Sequence, residues 1–522
     1  MTLMLTLGTA TFGAQKTLPS GKDTGSINVT NLKPGDTVTA YQFVKADYNE
    51  YGFTGYSAIN NYVKDPVAPT AQEVIDMASN AATMTVAAEK KVATGDTEVT
   101  LNGLPVGYYL VMVTSGSETV YSPMIAGIYY SKSATDNTLT NGAISADSDF
   151  EIKAQKCWAK SSTPKLEKTI VTPSSKNSKG DDIAIGDKIT FNLSATVPSY
   201  SKEYKKVTYK IYDIMSEGLD YVDGSMKCFI EKYENNRENI KVTPKVNGGI
   251  IEITFDSKFI LEHPGQKIQV EYQAKLNEKA GINFDANINK AYLEYSNNPA
   301  SGSTAKTGED KVYVYTFGID SNLFGKSTEK WNEKTKELIK VEEGEYQWVE
   351  TEKESGIFTT TTALEGATFT LTNNKTKKSY TATSDKYGYL KFTGLDAGEY
   401  TLQETDAPDG FTLNDAKHTV VITAEYNQDG TLKSYTIKID DKATSTYTAT
   451  YDKGVIKTIT STKDSQGNIS ESAILKNSKM SFLPSTGGVG TTIFAIVGVV
   501  FVVVALGLHM ILRGKSKLEQ DR

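Results

Sequence analysis

Three polar residues occupy positions that are otherwise apolar, in segments that alternate between apolar and polar residues. In an extended strand, only residues of one parity face the core. Lys168 keeps phase with Leu166 and Ile170, and Asp213 and Asn289 keep phase in the same way with the apolar residues of their own segments. An unpaired lysine or aspartate is costly to bury. The pattern therefore predicts that all three side chains share one site inside an apolar core.

Burial would give these side chains a specific chemistry. Desolvation disfavours both charges, so a buried lysine and aspartate can exist as a neutral amine and a neutral acid. The amine of Lys168 is then a nucleophile. Protonated Asp213 can polarise the side-chain carbonyl of Asn289 and pass protons to the leaving ammonia. The product would be an amide crosslink between Lys168 and Asn289, and the alternative is a buried ion pair beside an asparagine.

Strands are the elements that must position these residues. Segments 189–197 and 268–276 alternate strictly between apolar and polar residues, which predicts half-buried strands of a sandwich. Helical periodicity is confined to the segment from Thr70 to Ala88. The remainder up to residue 482 is predicted to be β-structure with Gly and Asn turns.

Composition divides this β-rich region into three domains. Residues 161–164 form a short polar break, and residues 296–310 are rich in Gly, Ser, Pro and Asn. The predicted domains therefore cover residues 15–160, 161–310 and 311–482. Three β-sandwiches in series predict a rod rather than a cleft.

Both ends of the chain predict export. Residues 1–14 are apolar and small, like the back half of a truncated signal peptide, and a core strand is the alternative. Within residues 488–512, the stretch from Ile493 to Leu512 contains no Asp, Glu, Lys or Arg. As a helix it would span a hydrocarbon core of about 30 Å. The basic tail at 513–522 predicts the cytoplasmic side and leaves the bulk of the chain outside.

Composition also excludes several classes of function. The 522-residue chain has 56 Lys+Arg and 63 Asp+Glu, a net charge of -7, so it lacks the basic surface that nucleic acid requires. Its 3 His argue against a His-based metal site, and no metal or cofactor is expected. Cys157 and Cys228 are expected to be unpaired. Without a G-x-S-x-G or H-E-x-x-H motif, the chain is not expected to be an enzyme.

A pentapeptide precedes the predicted transmembrane helix: Leu483, Pro484, Ser485, Thr486 and Gly487. The order of LPSTG, apolar helix and short basic tail resembles the cell-wall sorting signal of Gram-positive surface proteins. The resemblance implies that a sortase cysteine cleaves between Thr486 and Gly487 and transfers the threonine carboxyl to an amine. An ordinary membrane-anchored ectodomain is the alternative.

The second and third domains resemble the isopeptide-containing immunoglobulin-like domains of Gram-positive pilins and collagen-binding adhesins. The segments that carry the resemblance are YKIYDIMSEGLDY (209–221), NKAYLEYSNNP (289–299), VYVYTFGID (312–320) and YTLQETDAPDGF (400–411). The implied fold is all-β, with tandem immunoglobulin-like sandwiches of the collagen-binding A and B types in a rod, followed by a C-terminal transmembrane helix. In this family, a Lys, Asp and Asn set such as the one predicted above forms the A-type isopeptide bond.

For the third domain, the resemblance implies a second bond. Glu404 matches the acid of the family's Glu motif, and Asn477 lies six residues before LPSTG, where B-type domains carry the acceptor asparagine. The lysine departs from the pattern, because Leu323 stands where the family has it. Lys326 is the nearest candidate but is out of phase with the core residues of its strand. A bulge near Gly325 could restore the face.

A backbone pilin also needs an exposed lysine that accepts the next subunit. The family carries this lysine in a Tyr-Pro-Lys-Asn motif at the end of the first domain. The matching position is Lys160, in the imperfect motif Cys-Trp-Ala-Lys-Ser. Lys153, Lys156 and Lys165 are the alternatives.

The resemblance leaves two functions open. In the first, identical subunits join head to tail through Lys160 and Thr486 by a pilus-specific sortase, together with minor pilins, and a housekeeping sortase attaches the polymer to peptidoglycan. In the second, a monomeric wall-anchored adhesin presents its first domain to a host surface ligand. Both imply a protein secreted by a Gram-positive bacterium and anchored to the cell wall after a transient membrane stage. The order of the domains and the LPSTG ending resemble major fimbrial subunits most, so the sequence favours the pilin.

Overall fold

Three β-domains follow one another along the chain. The computed structural model describes residues 18–116, 118–131, 144, 150–171, 173–174, 177–233, 236–326, 336–342, 345–350, 361–386, 388–440, 443–463 and 475–478. The expected signal peptide, sorting motif, membrane span and basic tail lie outside these ranges. Among the helices within them, none is long and apolar enough to cross a membrane.

The first domain packs two sheets around an apolar core. Its strands are β1 Thr24–Thr30, β2 Thr37–Asn49, β3 Gly52–Ala58, β4 Val86–Lys91, β5 Glu98–Pro105, β6 Gly107–Thr114, β7 Val120–Tyr121, β8 Met124–Ser131, β9 Glu151–Ala154, β10 Cys157–Trp158 and β11 Ser161–Ser162. One sheet has the order β10-β1-β5, and the other has the order β3-β2-β6-β8-β9 with β4 also paired to β2. Buried residues of both sheets, such as Ile27 and Tyr109, pack together between them.

The helix of this domain is shorter than predicted. Helix α1 covers Ala71–Ser79 and begins with a capping box, in which the Thr70 side chain accepts the Glu73 N–H and the Glu73 carboxylate accepts the Thr70 N–H. A 3-10 turn at Ala81–Thr83 follows. From Val86 onward the chain joins the sheet as β4, because pairing with β2 satisfies its backbone groups.

The second domain is a sandwich of two larger sheets. Its strands are β12 Leu166–Ile170, β13 Gly180–Asp182, β14 Lys188–Thr196, β15 Tyr209–Met215, β16 Leu219–Tyr221, β17 Lys227–Tyr233, β18 Asn236–Ile240, β19 Lys245–Asn247, β20 Ile250–Thr254, β21 Lys267–Leu276, β22 Asn287–Asn298, β23 Ser303–Lys306 and β24 Asp310–Tyr315. The β12 sheet has the order β12-β14-β21-β17-β18, with β16 on β21. The β22 sheet has the order β13-β24-β22-β15-β20-β19, with β23 on β22. One continuous core lies between them.

Two details of this domain differ from the sequence predictions. A short helix, α2 Ser257–Glu262, begins after the capping side chain of Asp256 and was not predicted. The polar stretch 296–310 is not a linker, because β23 and β24 both pair with β22. We therefore place the boundary between the second and third domains near Thr316 rather than at residue 310.

The third domain also packs two sheets together. Its strands are β25 Phe317–Lys326, β26 Lys336–Glu342, β27 Glu345–Glu350, β28 Thr361–Ala363, β29 Thr368–Asn373, β30 Ser379–Thr383, β31 Tyr389–Leu395, β32 Gly398–Asp406, β33 Lys417–Tyr426, β34 Leu432–Ile439, β35 Ala443–Asp452, β36 Val455–Lys463 and β37 Leu475–Ser478. One sheet has the order β26-β27-β28-β25-β31 with β37 on β25, and the other runs β30-β29-β32-β33-β34-β35-β36. Buried residues of β25 and β32 share its core.

Candidate functional site

Four polar side chains meet in the core of the second domain. Lys168 on β12 and Tyr272 on β21 come from the β12 sheet, and Asp213 on β15 and Asn289 on β22 come from the β22 sheet. Lys168, Asp213 and Asn289 are 0% exposed, and Tyr272 is 1% exposed. Each side chain points inward because its parity along the strand is that of its buried apolar neighbours. The structure thus brings together the three residues that the sequence placed in one core.

A phenol hydroxyl connects the other three groups. The Lys168 Nζ donates to Asp213 Oδ2. It also donates to the Tyr272 hydroxyl at 3.0 Å. The Tyr272 hydroxyl in turn donates to Asp213 Oδ1 at 2.7 Å, and the Asn289 Nδ2 donates to that hydroxyl at 2.7 Å. Amine, acid and target amide therefore form one hydrogen-bonded cluster, the Lys168 cluster.

Aromatic rings seal the cluster from water. The Lys168 Nζ lies 5.0 Å from the ring centre of Phe191 and 5.2 Å from that of Tyr272. Burial lowers the pKa of the Lys168 ammonium, and the attraction of Asp213 offsets only part of this effect. Burial, followed by the Asp213 charge, raises the pKa of the Tyr272 phenol well above its usual value. The site therefore favours a neutral amine next to a phenol that keeps its proton.

An ion pair holds the backbone of Lys168 in place. The Lys168 N–H donates to Asp310 Oδ2 at 2.7 Å. The Lys179 Nζ donates to the Lys168 carbonyl at 2.6 Å and to Asp310 Oδ2 at 2.6 Å. Strand β12 lies at the edge of its sheet, so this pair occupies the side on which Lys168 has no strand partner.

The cluster differs from the predicted arrangement in one respect. Asp213 was expected to donate directly to the side-chain carbonyl of Asn289. In the structure the Tyr272 hydroxyl lies between the two groups, and the buried Asn289 Oδ1 has no hydrogen-bond partner among the described residues. Sequence reasoning counted Tyr272 only as a core residue of segment 268–276. The signal for it was present, because a buried tyrosine hydroxyl usually requires a polar partner.

The third domain keeps its acid buried. Glu404 on β32 is 1% exposed, in phase with buried Tyr400 and Leu402. Its Oε2 accepts the backbone N–H of Asn414 at 2.6 Å. The position of Glu404 in the core is therefore the one that its parity predicted.

The other two residues of the predicted third-domain bond lie on neighbouring strands. Strand β37 pairs in parallel with β25, with Asn477 opposite Gly325 and Lys326 opposite Ser478. The register runs without a shift from Leu323 to Lys326, so this pairing lacks the bulge near Gly325 that could have brought Lys326 onto the core face. Lys326 is thus one register position away from Asn477.

Lys160 lies at the end of the first domain, between β10 and β11. Its side chain is exposed, and its carbonyl accepts the Ser122 N–H at 3.0 Å. It borders a groove of about 360 Å³. Residues of α1, of the turn before β8 and of the second domain line this groove, among them Ile75, Pro123 and Tyr200. The neighbouring Trp158 is 70% exposed.

The remaining predicted features are of two kinds. The sorting residues Leu483, Pro484, Ser485, Thr486 and Gly487 lie outside the described residues. The two cysteines lie inside them, and both are buried free thiols. Burial raises the pKa of Cys157 to about 11 and that of Cys228 to about 12, so neither is a reactive thiolate at neutral pH.

Three family models match parts of the chain. Residues 22–161 match the T6 antigen Ig like domain, residues 347–436 match the SpaA prealbumin-like fold domain, and residues 476–517 match the LPXTG cell wall anchor motif. The anchor match covers the pentapeptide and the predicted span. The prediction of a wall-anchored protein on the surface of a Gram-positive bacterium is therefore confirmed.

Known proteins resemble the chain along most of its length. The trypsin-resistant surface T6 protein of Streptococcus pyogenes serotype M6 is 26% identical over 549 aligned positions, covering 95% of this chain and 96% of the relative. The solved T6 backbone pilin of serotype M6 Streptococcus pyogenes superposes with a TM-score of 0.59 at 20% identity, covering 89% of this chain and all of that one. The major pilin SpaD of Corynebacterium diphtheriae gives a TM-score of 0.43 at 17% identity, covering 76% of this chain and 90% of that one. The all-β tandem-domain fold and the resemblance to major pilins are confirmed.

Proposed function

We propose that this chain, a wall-anchored surface protein built like the backbone pilins, is the repeating structural subunit of a covalent pilus. The observation that carries the proposal is the match to the T6 protein over 95% of the chain, with the T6-type domain at the start and the LPXTG anchor at the end. A polymer subunit needs a carboxyl donor at one end and an amine acceptor some distance away. The chain supplies both.

Polymerisation would proceed in two acyl transfers. A pilus-specific sortase breaks the peptide bond between Thr486 and Gly487, releases the glycine amine and holds the threonine carbonyl as a thioester. The Lys160 amine of the next subunit then attacks that carbonyl, forms an amide and releases the sortase thiol. Minor pilins would join by the same chemistry, and a housekeeping sortase would pass the last subunit to an amine of peptidoglycan.

The surroundings of Lys160 support its assignment as acceptor. The groove beside it is lined by apolar residues, including Val74, Ile75 and Ile125, and by the polar residues Ser122 and Ser199. An extended segment ending in Leu-Pro-Ser-Thr could place its leucine and proline against the apolar wall and its backbone against the two serines. Lys165, by contrast, is exposed but does not line this groove.

An immunoblot of wall digests from the native host tests the function directly. The intact strain should give a ladder of high-mass bands under denaturing conditions. A Lys160→Ala strain should give monomer only, and a Lys165→Ala strain should keep the ladder. Monomer alone in the intact strain would favour the lone adhesin, whereas a ladder that survives Lys160→Ala would move the acceptor to another lysine.

The Lys168 cluster would serve this function by closing a covalent link between the two sheets of the second domain. The Lys168 Nζ attacks the Asn289 side-chain carbonyl carbon, the carbon–Nδ2 bond breaks, and ammonia leaves. The product joins β12 to β22, so tension on the pilus cannot draw these strands apart while the amide is intact. Supporting observations are the complete burial of all three residues and the lowered pKa of the Lys168 amine.

We extend the proposal to the third domain on different grounds. A bond between Lys326 and Asn477, assisted by Glu404, would join β25 to β37. The supporting observations are the parallel pairing of these two strands and the burial of Glu404 in the facing sheet. The one-position offset between Lys326 and Asn477 argues for slower or less complete reaction than in the second domain.

A further inference from the structure

We propose that Tyr272 is a catalytic residue, whose hydroxyl carries the proton from the attacking amine to the departing amide nitrogen. The inference rests on the proposed crosslink between Lys168 and Asn289. It assigns to Tyr272 a step that sequence reasoning had given to Asp213.

The Tyr272 hydroxyl is in contact with both nitrogens that change partners. It lies 3.0 Å from the Lys168 Nζ, which forms the new bond, and 2.7 Å from the Asn289 Nδ2, which leaves. Asp213 bonds to the Lys168 Nζ and to the Tyr272 hydroxyl. The leaving nitrogen donates to Tyr272, so the direct route for a proton between the two nitrogens runs through the phenol.

The proton balance follows from these contacts. The Lys168 ammonium first gives one proton to Asp213 Oδ2, which leaves a neutral amine and a neutral acid. The amine attacks the Asn289 carbonyl carbon and becomes positively charged. In this tetrahedral intermediate Nδ2 has a free lone pair, so the Tyr272 hydroxyl turns from Asp213 Oδ1 and gives its proton to Nδ2 as it takes one from Nζ. The carbon–Nδ2 bond breaks, ammonia leaves, and the phenol is restored. Asp213 gives its proton to the departing ammonia, which leaves as ammonium, and Asp213 is restored as a carboxylate.

The two proton transfers at the phenol must occur together. Burial and the Asp213 charge raise the pKa of Tyr272, so a free tyrosinate is not an accessible intermediate. A hydroxyl that gives and takes a proton in the same step never carries a charge. The Asp213 Oδ1, which accepts from the same hydroxyl at 2.7 Å, holds the phenol oxygen between the two nitrogens.

Other buried tyrosines of this core show that such a cluster is not a general consequence of burial. The Tyr209 hydroxyl has no hydrogen-bond partner among the described residues. The Tyr200 hydroxyl donates to the backbone carbonyl of Ser296 at 2.7 Å. Tyr272 instead bonds to three side chains that the reaction requires. Tyr209, 1% exposed in the same core, is therefore a matched control.

Peptide mass spectrometry of the full chain tests the inference. Trypsin would leave residues 166–176 joined to residues 280–290, about 17 Da lighter than the sum of the two peptides because one ammonia is lost. In newly synthesised chain, Tyr272→Phe should form this joined peptide about a hundredfold more slowly than the unsubstituted chain. Tyr209→Phe should form it at the unsubstituted rate.

The possible outcomes separate the two proposals. If the unsubstituted chain gives no joined peptide, the crosslink itself is wrong. If Tyr272→Phe and the unsubstituted chain react at equal rates, the crosslink stands and the role of Tyr272 is refuted. Should Tyr272→Phe fail to fold, 3,5-difluorotyrosine placed at residue 272 keeps the ring and changes the acidity of the phenol. It should change the rate, and the same replacement at residue 209 should not. An unchanged rate at 272 would also refute the inference.

Discussion

The same chemistry is proposed for the second and third domains, but the two domains place the lysine, the acid and the asparagine differently relative to one another. In the second domain, amine, phenol, acid and amide make continuous hydrogen bonds inside a closed core. In the third, the acid Glu404 is buried, but Lys326 and Asn477 are offset by one register position. The difference teaches that burial of an acid does not by itself align a nucleophile. Strand register decides which residue of a neighbouring strand the amine meets.

Removing the acid of the second or third domain should have the largest effect on stability and crosslinking. Each substitution should abolish the bond of its own domain and leave that of the other intact. Asp213→Ala leaves the neutral Lys168 amine buried without its carboxylate acceptor, which costs about 1–3 kcal/mol. It should also abolish the second-domain crosslink, which closes a loop of about 120 residues and stabilises the fold by roughly 5 kcal/mol, because it restricts the unfolded chain. Denaturant unfolding would measure the stability, and mass spectrometry would measure the bond.

Glu404→Ala is the matched variant in the third domain. It should leave the joined 166–176 and 280–290 peptides intact and affect only a bond between β25 and β37. A crosslink that persists in Asp213→Ala would show that another group accepts the Lys168 proton.

Moving the third-domain lysine by one position should sharpen the comparison. Asn477 stands opposite Gly325. The double variant Gly325→Lys, Lys326→Gly therefore places a lysine in register with the acceptor. We expect the fraction of crosslinked third domain to rise several-fold, as measured by peptide mass spectrometry after a fixed time. The single variant Lys326→Gly is the control and should give no bond. An equal or lower yield in the double variant would mean that register does not limit this reaction.

Loss of the ion pair between Lys179 and Asp310 should have a smaller effect on crosslink formation. Asp310→Ala removes the acceptor of the Lys168 N–H and one partner of Lys179, which is worth about 1 kcal/mol and should slow bond formation about fivefold. Asp310→Asn keeps an acceptor for the N–H and should restore most of the rate. Glu309→Ala, which removes a partly exposed partner of Lys290, is the control. Equal rates for Asp310→Ala and Glu309→Ala would exclude a positioning role for Asp310.

Parity made the second-domain site predictable from the sequence. Lys168, Asp213 and Asn289 were placed in one core because each keeps step with apolar neighbours, and the structure confirms their burial. The same rule indicated that Lys326 is out of phase, which corresponds to the register offset from Asn477. Residue types and spacing thus carried the part of the site that depends on which face of a strand a residue occupies.

Contacts between strands that are distant in sequence could not be predicted from parity. Tyr272 alternates like any core residue, and only the folded structure shows that its hydroxyl meets three side chains of the cluster. Lys179 and Asp310 lie far apart in sequence and meet at the backbone of Lys168. The boundary near residue 310 was missed because a polar, Gly-rich composition predicts a linker, whereas pairing with β22 makes the segment part of a sheet.

The junction between the second and third domains should respond to pH, and between pH 7 and 6 this effect should be the smallest of those considered. Asp182 on β13 is buried, accepts the Tyr426 hydroxyl of the third domain at 2.6 Å and accepts the Ala397 N–H. Burial raises the pKa of Asp182 to about 6, and the nearby Asp181 and Asp396 add to the rise.

Because protonation of Asp182 is easier in the folded chain than in the unfolded one, acidification should stabilise the junction. The gain in stability should begin as pH falls below about 7, reach about 0.4 kcal/mol at pH 6 and about 1.4 kcal/mol near pH 5, and level off near pH 3, below the unfolded pKa. This gain in stability can be measured as increased protection of the Ala397 amide from hydrogen exchange, after correction for the pH dependence of the intrinsic exchange rate. Asp182→Asn cannot titrate and should show a flat profile over this range. If the unsubstituted junction instead loosened between pH 7 and 5, Asp182 would have to be ionised in the folded state, with its bonds to Tyr426 and Ala397 outweighing its desolvation.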